Sequence, residues 1–289
     1  MNNSVPVVPD KQEMRYTIAR IPDLPLVTGA LQRLLEIIHN EVASVTELEN
    51  VILYDQALAA KVLRLANSSF YGRRSSVDTI TKAIMLVGFD QIKSICLCTI
   101  LMQLFNDGKN LELNERERLW KHAFATALIA GEIVRTKPWI KKDVAYILGL
   151  FHDIGRLAMA LHFGDYYRMV SELSESRNAP QWVVESQWGI AHTEIGRWMC
   201  IKWALPEMFR KVTEFHHQPH QSPSHRSEVT LIHLADILAN SERFPECVND
   251  QHTLSCARQL FLTEEDWELC IERSNAVWPQ VHAFWSLLK

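Results

Sequence analysis

Apolar residues recur at helical spacing along almost the whole chain, and no segment alternates convincingly between apolar and polar residues. Leu31, Leu34, Leu35 and Ile38 follow the i, i+3, i+4, i+7 pattern of an amphipathic helix after the proline-rich entry "IPDLPLV". Ser44 with Glu47 makes a capping box for the next helix. Asp55 caps "QALAAKVLRLAN", whose Leu58, Val62 and Leu65 share a face, and Gly72 closes that segment. "SVDTITKAIMLVG" predicts a short helix stopped by Gly88. "FDQIKSICLCTILMQLF" predicts a longer one, apolar almost all round and therefore buried. Glycine and proline are sparse, at 10 and 11 residues, so little interrupts the helices. The chain is expected to be all-α.

The polar stretch "NDGKNLELNERER", residues 106–118, reads as a joint. It divides an N-terminal helical lobe, residues 15–110, from a second lobe, residues 111–289, whose first helix is expected near Leu119. In the second lobe "LWKHAFATALIAGEIVR", "DVAYILGLFHDIGRLAMALHF", "DYYRMVSELSES", "HTEIGRWMCIKW", "EMFRKVTEFHH" and "SEVTLIHLADILANS" all read as helices. Thr263 with Asp266 starts a last helix that Pro279 should kink or end. A length of 289 residues allows one large domain or two smaller ones. The net charge of -4 gives no footprint for non-specific nucleic-acid binding. Six cysteines without a CxxC pair, behind a start that lacks an apolar signal core, predict free thiols in a cytoplasmic protein. With no run of about 18 apolar residues, no membrane span is expected.

Within the apolar stretch "LGLFHDIGRLAM", His152 and Asp153 stand side by side. A buried charge costs several kcal/mol unless it is paired or coordinates a metal, so Asp153 needs a partner. Other apolar helices carry His122, His192, His216, His217 and Asp236. Imidazole and carboxylate together suit iron, manganese, nickel or zinc, and a bundle core lined from facing helices is a recurring place for such a site. A shared metal would be the partner of Asp153. His39, His162, His220, His225, His233, His252 and His282 are read as ordinary core or surface histidines. Lys61, Arg64, Arg73 and Arg74 flank "LANSSFYG" and are read as a solvated face in preference to an anion or partner surface. The helix pair over residues 45–67 superficially resembles a helix-turn-helix, but both helices are apolar on broad faces and no specific DNA binding is expected.

The order of His122, then His152 and Asp153, then Asp236 resembles the signature of the HD superfamily of metal-dependent phosphohydrolases. His192, His216 and His217 match the extra histidines of its two-metal members, such as the HD-GYP phosphodiesterases. In the N-terminal lobe, "LYDQALAAKVLRLANSSFYG" followed by "VDTITKAIMLVGFDQIKSICL" is similar to the HDOD domain, a regulatory relative of HD-GYP. The resemblance runs from about Ile21 to about Asn240. It implies an HD-type bundle with a helical lobe packed against it, and a dinuclear transition-metal centre, iron first, with manganese, nickel or zinc as alternatives. Asp153 would bridge the two ions. In an active hydrolase the ions would activate water for attack on a phosphoryl group.

HDOD domains generally act as signalling modules without catalysis, often with eroded ligands, whereas this chain keeps the set. Two departures still point away from cyclic di-GMP hydrolysis. The segment after the paired histidines, "HHQPHQSPSHRS", lacks the Gly-Tyr-Pro loop of HD-GYP members. Arg156 replaces the lysine that those members place to help the leaving group, and a guanidinium is a poor proton donor. Arg118, one turn before His122, stands where three-metal relatives place a glutamate and would repel a third ion. The resulting expectation is a regulatory protein that binds a protein partner or a small anionic or nucleotide ligand, with little or no catalysis. The alternative is an active phosphohydrolase acting on a nucleotide or cyclic nucleotide, with Asp153 and Arg156 at the reacting centre.

Overall fold

The computed structural model describes residues 9–21, 33–34, 36–37, 43–67, 77–106 and 111–288. The readings at Leu31, Leu35, Ile38, His39, Gly72, Arg73 and Arg74 lie outside them. Among the described residues there are helices and turns and no strand, so the fold is all-α as expected.

After α1 (Lys11–Arg20), the helices α2 (Val45–Leu53), α3 (Gln56–Ala66), α4 (Ile80–Val87) and α5 (Phe89–Asn106) pack on one another. Their ends follow the local chemistry. Ser44 and Glu47 form the reciprocal capping box, and the Leu58 amide donates to Asp55 Oδ1 at 3.1 Å. Gly88 ends α4 with φ 98°, a conformation that only glycine adopts without strain. The two helices resembling a helix-turn-helix bury Leu48, Val51 and Ile52 on one and Leu58, Val62 and Leu65 on the other.

The larger group begins with α6 (Leu113–Thr136), which starts before the expected Leu119. Its charged first turns are helical because they satisfy one another: Arg118 Nη2 donates to Glu115 Oε2 at 2.8 Å. Around α6 pack α7 (Lys142–Phe151), α13 (Arg226–Ala239), α15 (Glu264–Asn275) and α16 (Trp278–Leu288). Trp120 of α6 stacks on Phe284 of α16, with ring centroids 5.8 Å apart. The intervening helices are α8 (Ile154–His162), α9 (Gly164–Ser176), α10 (Gln181–Trp188), α11 (His192–Lys202), α12 (Glu207–Phe215) and α14 (Gln251–Gln259). Pro279 falls in the first turn of α16, where its missing N–H costs nothing, rather than kinking α15.

Three features differ from the expectation. The stretch read as one helix over "DVAYILGLFHDIGRLAMALHF" is two, with His152 and Asp153 in the turn between α7 and α8. Residues 142–162 are long and apolar enough to cross a membrane by length and composition, yet 83% of the best window is buried inside the protein. And α1, assigned from residue 15 onward to the N-terminal lobe, packs on α11 of the second group: Lys11 pairs with Glu194 at 2.7 Å and Lys202 donates to the Ala19 carbonyl at 2.8 Å.

The contact that positions everything else is α8 on α11. A Cβ placed on Gly155 would lie 1.9 Å from the His192 carbonyl oxygen and 2.4 Å from the Gly196 nitrogen. One placed on Gly196 would lie 2.2 Å from Thr213 Cγ2 of α12. The backbones approach that closely only because both residues lack a side chain. Gly155→Ala should therefore lower stability by about 3 kcal/mol or more, at the upper end of overpacking effects. Gly131→Ala, whose new methyl meets only the flexible end of Lys142, should be neutral or stabilising by up to about 1 kcal/mol. Denaturant unfolding of the two variants checks the contrast. Equal stabilities would refute it.

Candidate metal centre

The fold brings all seven residues singled out in the sequence to one place. His122 comes from the middle of α6, and His152 and Asp153 from the α7–α8 turn. His192 opens α11, His216 and His217 follow the end of α12, and Asp236 lies within α13. His152, His192 and His216 are fully buried, and Asp153 and Asp236 nearly so.

Asp153 stands between two groups of imidazoles. Its Oδ1 lies 3.1 Å from His192 Nε2 and 3.6 Å from His216 Nε2. Its Oδ2 lies 3.6 Å from both His122 Nε2 and His152 Nε2. Asp236 Oδ1 approaches the second group, 3.1 Å from His122 Nε2 and 3.8 Å from His152 Nε2, while its Oδ2 lies 3.5 Å from His217 Nδ1.

The nitrogens themselves are crowded. His122 and His152 bring their Nε2 atoms to 3.3 Å, His192 and His216 to 3.4 Å, and His192 and His217 to 3.3 Å. Two imidazole nitrogens on one ion at about 2.0–2.1 Å stand about 3.0–3.4 Å apart, depending on the angle. Facing lone pairs without a cation or proton between them would repel. Both carboxylate oxygens of Asp153 are buried and receive no hydrogen bond of acceptable geometry. The residues fit a metal.

The outward nitrogens are tied down as metal-bound histidines usually are. His152 Nδ1 donates to the Gly149 carbonyl at 2.7 Å, and His216 Nδ1 to the Val212 and Thr213 carbonyls, both at 3.1 Å. His192 Nδ1 lies 2.5 Å from Glu185 Oε2, which also accepts the His192 backbone N–H at 2.9 Å. Asn240 Nδ2 donates to Asp236 Oδ1 at 2.9 Å. Glu185 was not singled out in the sequence, because "QWVVESQW" is half polar and a carboxylate in it reads as an exposed one.

Arg156 points into the centre. Its Nη1 is 3.2 Å from Asp153 Oδ2 and its Nη2 3.4 Å from each ring nitrogen of His192. Arg118 is held differently: Nη2 donates to Glu115 and, at 2.9 Å, to the Tyr167 hydroxyl, so much of its charge is met locally.

Burial works to raise the Asp153 carboxyl, but Arg156, His152 and His192 outweigh it and hold it well below the usual carboxylate range. Burial opposes ionisation of Asp236 too, and is outweighed by His122 and His152. For His152, burial is overcome by Asp153 and Asp236, and for His192 by Glu185 and Asp153, so both imidazoles hold a proton more tightly than usual. Burial keeps His216 and, still more, His217 neutral. Ionised carboxylates and the neutral His216 and His217 are what a dication requires, and it must displace the protons of His152 and His192.

A cavity of about 460 Å³ opens onto this centre. Its lining includes His122, Arg156, His217 and Asp236 from the centre, and Arg118, Arg243 and Trp182 beyond it. Trp182 stacks on His217 with ring centroids 5.2 Å apart, a packing contact the sequence did not reveal.

Comparison with known proteins agrees with the fold. An uncharacterized protein of Treponema pallidum (strain Nichols) is 26% identical over 223 residues, covering 75% of this chain and 42% of that relative. The chain thus spans less than half of that curated relative's length. An HDOD domain protein of unknown function from Geobacter sulfurreducens superposes with a TM-score of 0.75 at 22% identity, over 94% of this chain and 97% of that one. A candidate signal transduction protein from Marinobacter aquaeolei VT8 gives 0.79 at 22% identity, over 98% and 62%. A candidate phosphohydrolase from Shewanella amazonensis SB2B gives 0.71 at 18% identity, over 96% and 97%. The HDOD domain family matches residues 24–219, more than half of the chain, and the chain belongs to that family.

Proposed function

We propose that this chain is a regulatory HDOD protein built as two lobes, whose second lobe holds two transition-metal ions, iron first, bridged by Asp153. One ion is held by His122, His152, Asp236 and Asp153 Oδ2, the other by His192, His216, His217 and Asp153 Oδ1. The observation that carries this reading is the division of the Asp153 oxygens between two sets of close-set nitrogens. Two ions would supply electrophilic stabilisation of phosphoryl oxygens.

The cavity above the centre takes a small anionic or nucleotide ligand, whose charge Arg156 and Arg243 would meet; a protein partner reads the bound state. Regulation is favoured over turnover by Arg156. It stands 3.2 Å from the Asp153 carboxylate as a permanent cation, and it supplies charge without a readily donated proton. No Gly-Tyr-Pro loop follows His217 to hold a substrate. The second reading, a phosphohydrolase, is supported by the complete ligand set and by the cavity that opens onto it. Cys200, Cys247, Cys256 and Cys270 are free thiols, in keeping with the cytoplasm we assign.

Three outcomes are expected. Protein purified anaerobically should carry close to two transition-metal ions per chain in this centre. His217→Ala should lose one ion and Asp153→Ala both, with a fall in melting temperature as the metal that binds only the folded state is lost. Elemental analysis showing full metal in Asp153→Ala would reject the bridging assignment.

Metal uptake must also displace protons from His152 and His192, which the neighbouring carboxylates hold above the ordinary imidazole value of about 6.5. Affinity should therefore fall as pH is lowered from about 8 to about 6, with proton release measurable by calorimetry in buffers of different ionisation enthalpy. Affinity flat across that range would contradict the assignment.

Finally, cyclic di-GMP hydrolysis should be absent or very slow in fully loaded protein, since loss of an acid catalyst typically costs about 10²–10⁴ in rate. Arg156→Lys should gain weak activity. Turnover of the parent at about 1 per second or more would replace the regulatory reading with the enzymatic one.

A further inference from the structure

Outside the seven-residue centre, a second group of side chains has metal-binding chemistry. His233 on α13, with His252 and Cys256 one turn apart on α14, offers ligand atoms that all lie within 4.8 Å of one another. His252 Nε2 and Cys256 Sγ are 3.8 Å apart. Tetrahedral zinc, with Zn–S of about 2.3 Å and Zn–N of about 2.0–2.1 Å, sets sulfur and nitrogen about 3.6 Å apart. The His233 and His252 rings stand 5.2 Å apart at 70°.

His233 supplies an independent sign. It is 6% exposed, and its Nδ1 donates to the His216 carbonyl at 2.7 Å, which leaves Nε2 as the acceptor nitrogen. That buried Nε2 has no hydrogen-bond partner. An orphaned buried acceptor costs about 1–3 kcal/mol, so its lone pair calls for an occupant. A ring whose outer nitrogen is tied to a carbonyl while its inner nitrogen stays free is oriented as metal-binding histidines are, and His152 and His216 are tied in the same way.

We propose that His233, His252 and Cys256 form a further metal site, for zinc(II), separate from the His/Asp centre. The donor sets differ in kind. The main centre offers only nitrogen and oxygen, whereas a thiolate beside two imidazoles is the softer set that favours zinc. His252 is exposed, so the ion has a path from solvent. His233 and His252 both line the large cavity, so the fourth, open position of the tetrahedron faces it. Binding releases the Cys256 thiol proton to solvent.

Cobalt(II) added to the full-length, metal-stripped chain tests this, because a cobalt–thiolate bond absorbs in the near ultraviolet and the His/Asp centre contains no sulfur. The band should plateau once the sites are filled, at an intensity matching one cobalt–thiolate site per chain, and be displaced by zinc(II). Cys256→Ser and His252→Ala should abolish it, while His217→Ala, which disturbs the main centre, and Cys247→Ser should keep it. His252 is exposed, so its replacement tests the site without threatening the fold. Absence of the band in the parent would overturn the proposal and assign the His233 nitrogen to water. So would persistence of the band in Cys256→Ser, or its loss in Cys247→Ser or His217→Ala.

Discussion

The structure turns on one buried carboxylate. Asp153 is 8% exposed, lies in a turn between two apolar helices, and accepts no well-formed hydrogen bond at either oxygen. A charge so placed is tolerable only because cations and potential ligands converge on it. Five imidazoles, Asp236 and Arg156 come from segments spread over more than a hundred residues, and their arrangement is centred on the two oxygens of this side chain. Removing it would take from Arg156 its main counter-charge. That is why its loss should be felt in stability as well as in metal content.

The turn that carries Asp153 is held by backbone rather than side-chain contact. Gly155, two residues on, lets α8 lie against the His192 carbonyl and Gly196, and Gly196 in turn lets α12 close with Thr213. The same close packing sets His192 beside Asp153 and brings the end of α12, with His216 and His217, to the other face. Position in the centre is thus a consequence of helix packing. Outer hydrogen bonds from the rings to the Gly149, Val212 and Thr213 carbonyls and the Glu185 carboxylate then fix which nitrogen each ring presents.

Much of this was legible in the sequence, because the signals were local or conspicuous. Capping chemistry marked the starts of α2 and α15, both of which have the full reciprocal box. Polar residues of ligand type inside apolar helices marked the centre. What escaped the reading depends on tertiary geometry. The break at His152–Asp153 lies between Gly149 and Gly155, but both glycines serve close helix packing and do not by themselves announce a turn. The docking of α1 on α11 rests on a distant ion pair and a lysine-to-carbonyl bond. Glu185 was overlooked because "QWVVESQW" is half polar and does not mark it as buried, and the stacking of Trp182 on His217 leaves no trace in residue spacing. The direction of Arg156 also needed coordinates: one turn after Asp153 it could equally have faced away.

The division of the Asp153 oxygens between two sets of nitrogens is the claim on which the functional reading rests. Electron paramagnetic resonance of manganese(II)-loaded protein tests it most directly, because two manganese ions sharing one carboxylate are magnetically coupled. The account predicts a coupled dinuclear spectrum at full loading that Asp153→Asn abolishes. A spectrum of isolated manganese ions at full loading, unchanged by that substitution, would contradict it.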